Sequence, residues 1–187
     1  MPRAPESASH PACQLPAPRS NYGLSKYVGE LYIEMLQRTS GLDYTILRYS
    51  NAFGPRQDPH GEAGVVAIFT GLMLAGQQCT IDGDGEQKKD YDYVGDIARA
   101  NVLALTRGSG QALNIGRGAG TTVNEIFAVL SAATGNAVGP RNGPPREGDV
   151  RNFWLDYSRA RASLGWEPQV TFEEGVRLTV ESMKAAV

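Results

Sequence analysis

The sequence predicts an α/β fold, and two patterns in it support that prediction. Apolar residues recur at intervals of three and four over residues 22–39, which is the period of a helix. Segments rich in β-branched and aromatic residues, typical of strands, alternate with further helical segments along the rest of the chain. No internal repeat or shift of composition marks a second independent domain, so residues 20–187 are predicted as one unit after an irregular lead-in at 1–19.

The overall composition narrows the class of protein. The chain has 187 residues, with 18 Lys and Arg against 20 Asp and Glu, a formal net charge of −2. This balance gives no electrostatic basis for binding nucleic acid or an anionic membrane, and no apolar run approaches the length that crosses a bilayer. The two cysteines and two histidines lack metal-site spacing, so we expect no metal and a cytoplasmic protein.

The first helix is predicted over residues 22–39. Ser20 can cap its amino end, and Gly41 follows the last turn, where a left-handed residue commonly ends a helix. Its apolar face is predicted to consist of Leu24, Tyr27, Val28, Leu31, Tyr32, Met35 and Leu36.

Turn residues and caps divide the rest of the chain into short elements. The predicted strands are 43–49, 78–82 and 112–115, with residues 90–94 extended. The predicted helices are 65–75, 98–107 with Asp96 as its cap, 122–134, 158–164, and one from residue 171. Thr122 with Glu125, and Thr171 with Glu174, have the spacing of capping boxes. Loops are predicted at 51–64 and 139–148, where Gly and Pro are frequent.

Tyr22 and Lys26 lie one turn apart on a face of the first helix other than its apolar face. A nearby ammonium and the positive end of a helix both favour the phenolate form of a tyrosine. A phenolate can accept a proton from an alcohol, so the pair is a candidate general base. A solvated surface pair has the same spacing, and the pair alone does not distinguish the two interpretations.

Further motifs follow this pair in a characteristic order between residues 20 and 185. They are Leu47-Arg48-Tyr49-Ser50-Asn51 with Phe53-Gly54-Pro55-Arg56-Gln57, then Gly83-Asp84-Gly85-Glu86-Gln87-Lys88-Lys89-Asp90-Tyr91, Arg146-Glu147-Gly148-Asp149, and Leu164-Gly165-Trp166-Glu167-Pro168. Together with Tyr22 and Lys26 they resemble the extended short-chain dehydrogenase/reductases. Within that family the match is to nucleotide-sugar epimerases and dehydratases of the UDP-glucose 4-epimerase type.

The resemblance implies a fold, and it also implies that part of that fold is missing. The expected fold is the C-terminal part of a Rossmann-type, doubly wound parallel sheet, merged with a small α/β substrate-binding lobe. The strand, glycine-rich turn and helix that receive the NAD pyrophosphate in that family have no counterpart before Tyr22. The Ser or Thr that shares the proton transfer with the tyrosine is missing too. We therefore expect a truncated chain that is inactive alone and exposes apolar surface which the full fold buries.

The resemblance implies catalytic and cofactor roles for three residues. In that family the tyrosine at the position of Tyr22 takes a proton from a sugar hydroxyl while NAD⁺ accepts hydride from the same carbon. For an epimerase, hydride then returns to the other face of the keto intermediate. Lys26 would hold the nicotinamide ribose, and Tyr49 would lie along the nicotinamide.

Substrate contacts are implied as well, for a nucleotide-diphosphate sugar such as UDP-glucose or UDP-galactose. Asn51 and Arg146 would hold phosphate oxygens, and Asp149 would accept from a ribose hydroxyl. Lys89 stands where the family usually has arginine, so it keeps the charge without the fork of donors. The implied substrate-binding residues are Asn51, Val66, Phe69, Lys89, Tyr91, Arg146 and Asp149. A homodimer through the helix at 22–39 is also expected.

Two further segments of the sequence resemble ligand-binding motifs. Residues 116–120 form a glycine-rich turn between a strand and a helix, but the glycine spacing is one residue short, and we expect a structural turn there. Residues 82–86 are expected to form a solvated acidic turn rather than a calcium loop. Two other functions stay open: a nucleotide-sugar binding module or pseudoenzyme, and a 4,6-dehydratase or decarboxylase of the same family.

Overall fold

The structure, a computed structural model, describes residues 9–10, 17–18, 20–60, 63–146 and 150–185. Its helices are α1 (Asn21–Ser40), α2 (Val65–Leu74), α3 (Val94–Ala104), α4 (Val123–Thr134), α5 (Ser158–Leu164) and α6 (Phe172–Lys184). Its strands are β1 (Ser9–His10), β2 (Thr45–Tyr49), β3 (Asn51–Phe53), β4 (Thr80–Asp82), β5 (Lys88–Lys89), β6 (Tyr91–Tyr93), β7 (Gln111–Ile115), β8 (Thr121–Thr122), β9 (Arg141–Gly143) and β10 (Asn152–Leu155).

Strand pairing in the described residues is almost entirely parallel. β2 pairs with β7, β3 with β6, and β4 with β9, each in parallel. β10 lies between β1 and β5, again in parallel, and only β5 with β8 is antiparallel. Parallel strands require crossover connections, which the helices supply. The predicted α/β fold with parallel strands is therefore confirmed.

Helix α1 has the predicted caps but not a buried face. Ser20 Oγ accepts from the Gly23 N–H at 3.0 Å, and Gly41 adopts the left-handed conformation at φ 70°. None of the residues of α1 is buried, and most of its large apolar side chains are exposed: Leu24, Val28, Leu31, Tyr32, Met35 and Leu36. The apolar surface predicted for a truncated chain is thus present along this helix.

Two hydrophobic clusters hold the rest of the structure together. The larger lies among α2, α4 and α6 and includes Phe69, Ile126 and Phe172. The smaller lies around β7 and α5, where Leu113, Leu164 and Trp166 are fully buried. Trp166 Nε1 donates to the Asp96 carbonyl at 2.9 Å, which fixes the start of α3 against this second cluster.

Several predicted boundaries were wrong, for reasons that are visible in the contacts. The predicted loops at 51–64 and 139–148 each contain a three-residue strand, β3 and β9, formed by pairing with a distant strand. Asp96 does not cap α3: it lies buried in its first turn, where its carboxylate accepts from Gln169 N and Val170 N. Burial against a distant loop, rather than local capping, determines its position.

Among the described residues, no helix combines the length and the apolar character needed to cross a membrane.

Candidate nucleotide-sugar site

A cavity of about 480 Å³ brings together most of the residues predicted to bind substrate. It is bordered by β3, β4, β6 and the start of α2. Its lining includes Asn51, Val66, Phe69, Lys89, Tyr91 and Arg146. The seventh predicted residue, Asp149, lies outside the described residues. Residues up to 95 positions apart in the sequence, Asn51 and Arg146, thus meet at one site.

One wall of the cavity is apolar and is built by helix α2. Val66 and Phe69 lie three residues apart, on one face of the helix, and are 1% and 4% exposed. The Phe69 ring meets the Phe127 ring of α4 edge-on, with centroids 6.3 Å apart. The residues of this wall therefore pack within the larger hydrophobic cluster.

The opposite side of the cavity is formed by the paired strands β3 and β6. Asn51 stands in register with Tyr91, and its Nδ2 donates to the carbonyl of Asp90 at 2.8 Å. An amide NH₂ group has two hydrogens, so one remains for a ligand. Tyr91 is buried and packs against Phe172, with ring centroids 6.1 Å apart. Lys89, two residues before Tyr91, also lines the cavity.

The rim of the cavity is polar and includes residues that the sequence analysis did not predict. Arg146 Nε lies 2.9 Å from Asp82 Oδ2, and Gln87 Nε2 donates to the Asp82 carbonyl at 3.2 Å. Thr80 lines the cavity together with Asp82. Alternation along β4 places these two side chains on the same face, which is the signal that could have identified them.

Tyr22 and Lys26 lie on α1 and are not part of the cavity lining. The Lys26 ammonium is 5.2 Å from the centroid of the Tyr22 ring, and the Tyr22 side chain is 73% exposed. The pairing on one helix face agrees with the prediction from their spacing. Both side chains are exposed, so the pair faces solvent in this chain.

Tyr49 occupies the face of β2 that points toward α3. Its hydroxyl donates to Asn101 Oδ1 at 2.8 Å. The preceding residue, Arg48, points to the other face, where its guanidinium forms two hydrogen bonds with Glu30 of α1. The structure therefore does not bring the Tyr49 phenol to Tyr22, and its predicted place along the nicotinamide stays a prediction.

Three buried carboxylates, Asp90, Asp92 and Asp96, lie in β6 or within three residues of it and are not part of the cavity lining. Burial raises the pKa of Asp90, although three backbone N–H groups donate to it. Burial, followed by the neighbouring Asp96 and Asp90 carboxylates, raises the pKa of Asp92 to about 7. Neither oxygen of Asp92 has a hydrogen-bond partner among the described residues. Aspartate is seldom buried, and nothing in the sequence indicated this arrangement.

The fold and the site define a family. The NAD dependent epimerase/dehydratase family matches residues 2–116 of this sequence, and the chain belongs to that family. Among curated relatives, a UDP-glucose 4-epimerase from Mycolicibacterium smegmatis is 45% identical over 165 residues, which are 88% of this chain and 53% of the relative. The chain thus spans about half the length of the curated relatives it matches.

Solved structures show the same similarity. The UDP-glucose 4-epimerase of Thermotoga maritima, solved with UDP-glucose, is 53% identical, with a TM-score of 0.90 over 92% of this chain and 56% of that one. The Thermus thermophilus UDP-glucose 4-epimerase, solved with NAD, is 41% identical with a TM-score of 0.89, and the match covers 98% of this chain and 60% of that one. The predicted Rossmann-type epimerase fold and the recognition of the family are confirmed.

The NAD of this family needs amide groups that face its pyrophosphate. In the described residues, the glycine-rich turn at 116–120 cannot provide them, because Arg117 N and Gly118 N donate to the Asp90 carboxylate, each at 3.1 Å. This agrees with the structural turn predicted from the sequence. Tyr22, Lys26 and Tyr49 stay predicted contacts for the nicotinamide end of NAD.

Proposed function

We propose that this chain is the nucleotide-sugar-binding and tyrosine-bearing part of an epimerase of the UDP-glucose 4-epimerase type. The observation that supports this most strongly is the cavity, where six of the seven residues predicted to bind substrate come together. Its volume of about 480 Å³ is in the range of small-molecule sites. Its apolar wall and cationic rim suit a ligand with a flat base at one end and a diphosphate at the other.

Each wall of the cavity has a role in this proposal. Val66 and Phe69 form the apolar surface for the base. Lys89, Arg146 and the second amide hydrogen of Asn51 neutralise and orient the diphosphate, since cations and amide donors are its natural partners. Asp149 would accept from a ribose hydroxyl. The sugar would then project from the diphosphate toward the tyrosine-bearing side of the molecule.

Tyr22 and Lys26 would supply the proton chemistry in a complete enzyme. Tyr22 would take the proton of a sugar hydroxyl, and Lys26, next to its ring, would stabilise the phenolate and hold the nicotinamide ribose. NAD supplies the hydride chemistry in this family. The chain alone would bind the nucleotide sugar without converting it, because its tyrosine is exposed to solvent and its described residues lack a pyrophosphate cradle.

Calorimetric titration with UDP tests the binding proposal. We expect saturable heat at or below millimolar UDP, and no heat at that concentration would refute the proposal. Lys89→Met should weaken binding about tenfold, since it removes a cation from the diphosphate subsite. Lys184→Met is the matched control. It removes the same charge, but at the exposed end of α6, away from the cavity lining.

An activity assay tests the proposal about catalysis. The purified 187-residue chain with UDP-glucose and NAD⁺ is expected to form no UDP-galactose. Turnover by this preparation would contradict the proposal that the chain alone lacks the groups for cofactor chemistry. A pure binding module is the second candidate function, and the solvent exposure of Tyr22 is the observation that favours it.

A further inference from the structure

We propose that Asp90 is a positioning residue for the diphosphate subsite: its backbone carbonyl holds Asn51 in place, and its buried carboxylate anchors that carbonyl to the rest of the fold. The inference rests on the proposed function of the cavity. It concerns a buried residue that lines no part of the cavity.

The first observation is a double contact between Asp90 and Asn51. The Asp90 carbonyl accepts from the Asn51 backbone N–H at 3.1 Å and from Asn51 Nδ2 at 2.8 Å. Both the backbone and the side-chain direction of Asn51 are therefore determined by the position of one carbonyl oxygen. The flanking residues Lys89 and Tyr91 also line the cavity.

The second observation is the anchoring of Asp90 from behind. Its carboxylate is fully buried and accepts three backbone hydrogen bonds, each at 3.1 Å, from Arg117 N, Gly118 N and Leu155 N. These donors belong to the turn after β7 and to β10, elements far from Asn51 in the sequence. A buried carboxylate is retained only where such bonds compensate for its lost hydration.

The third observation is the close packing of the carboxylate against Gly116. A Cβ atom on Gly116 would lie 2.6 Å from Asp90 Oδ2 and 3.0 Å from Leu155 Cβ. Glycine at residue 116 therefore leaves the space that the Asp90 carboxylate occupies. Movement of Asp90 would require the turn, β10 and Asn51 to move together.

Asp92 provides an internal contrast. It is as deeply buried as Asp90 and lies two residues further along the same strand segment, so alternation places both carboxylates on one face. Its two oxygens have no hydrogen-bond partner among the described residues. Asp92→Asn therefore removes a buried carboxylate without removing an anchoring bond, which makes it the matched control for Asp90→Asn.

The test is a double-mutant cycle measured by UDP calorimetry on the full chain. Asp90→Asn places an NH₂ group against backbone donors, so we expect UDP affinity to fall about tenfold or more, while Asp92→Asn changes it less than twofold. Asn51→Ala should weaken binding to a similar degree. In the Asn51→Ala background, Asp90→Asn should cause little further loss, because Asp90 acts through Asn51.

Full additivity of the two changes, or equal losses in Asp90→Asn and Asp92→Asn, would overturn the inference. If Asp90→Asn does not fold, Gly116→Ala provides a second test, since it displaces the Asp90 carboxylate without removing it. Unchanged UDP affinity in a folded Gly116→Ala variant would also overturn the inference. Absence of UDP binding by the unmodified chain refutes the proposed function itself, which distinguishes that failure from this one.

Discussion

Arg146 and Asp82 form an ion pair at the rim of the cavity, with Nε 2.9 Å from Oδ2. The Arg146 side chain is 79% exposed, so the pair is solvated and contributes little to stability. A diphosphate has more negative charge than one carboxylate and offers the guanidinium two acceptors in the geometry that it prefers. Ligand binding would therefore take Arg146 away from Asp82.

This competition leads to a first prediction. Asp82→Asn should strengthen UDP binding by a factor of a few, because Arg146 no longer has to leave a carboxylate and the diphosphate meets one fewer negative charge. Arg146→Gln should weaken it about tenfold, as expected for the loss of a charge-assisted hydrogen bond. Calorimetry at a fixed ionic strength measures both changes.

A second exposed ion pair provides the control. Arg151 Nη2 lies 2.7 Å from Asp84 Oδ2, and neither residue lines the cavity. Asp84→Asn changes the net charge by the same amount as Asp82→Asn. We expect UDP affinity to stay the same in Asp84→Asn. An equal gain in both variants would show that net charge, and not release of Arg146, causes the effect.

How much of the fold the sequence predicts depends on whether an element is determined locally. Ser20 and Thr122 cap helices as predicted, and α5 begins and ends at the predicted residues, because caps and periodicity act within a few residues. The strands β3 and β9 were missed because they lie in segments where frequent Gly and Pro residues predict loops. Pairing with β6 and β4, distant in the sequence, creates them.

The residues of the candidate site also fall into two groups, those identified from sequence motifs and those whose role depends on distant contacts. Asn51, Lys89 and Arg146 were selected from motifs, and the structure does place them at one cavity. Thr80, Asp82 and Gln87 belong to the same cavity but could not be assigned, because their role depends on which strands become neighbours. The buried state of Asp90 was equally impossible to predict, since it depends on contacts with the turn after β7 and with strand β10.

The exposed apolar face of α1 leads to a second prediction, on self-association. Leu24, Leu31 and Met35 are 49%, 44% and 41% exposed, a continuous stripe that water solvates poorly. We expect the chain to self-associate at micromolar concentration through this helix, and Leu31→Glu to shift it toward monomer. Light scattering coupled to size-exclusion chromatography measures the change.

Leu105 is the matched control for this substitution. It is 82% exposed, just beyond α3, and is more accessible than Leu31 but does not belong to the stripe. Leu105→Glu should leave the association unchanged. If both variants dissociate equally, the effect comes from added negative charge and the interface proposed for α1 is wrong.

Two helix caps allow a third prediction, on stability. Thr122 and Glu125 form a complete capping box, with both reciprocal hydrogen bonds present, whereas for Thr171 the structure shows the hydroxyl bond to Glu174 N. Thr122 is also buried. Thr122→Ala should therefore lower the free energy of unfolding by about 1–2 kcal/mol, and Thr171→Ala by about 1 kcal/mol or less. Urea denaturation measures both, and a larger loss at Thr171 would contradict the assignment.

The fourth prediction concerns pH and follows from Asp92. Its pKa is raised from the ordinary 3.8 to about 7, first by burial and then by Asp96 and Asp90, with the Tyr93 backbone amide and then Arg117 partly opposing them. In the unfolded chain Asp92 ionises near pH 4, while in the folded chain it keeps its proton until about pH 7. Between these values the unfolded state binds fewer protons, so the free energy of unfolding falls as pH rises.

Comparing the wild type with Asp92→Asn removes the contribution of titrating groups that do not interact with Asp92. An asparagine amide at residue 92 has a burial cost that does not depend on pH, so only the slope of the difference is informative. We expect the difference between their free energies of unfolding to change by about 1.4 kcal/mol per pH unit between pH 4 and 7. The wild type becomes less stable relative to the variant as pH rises. Above about pH 7 the difference should level off. Denaturant titrations across this range measure it, and parallel profiles would mean that Asp92 is not buried and unpartnered as the structure shows.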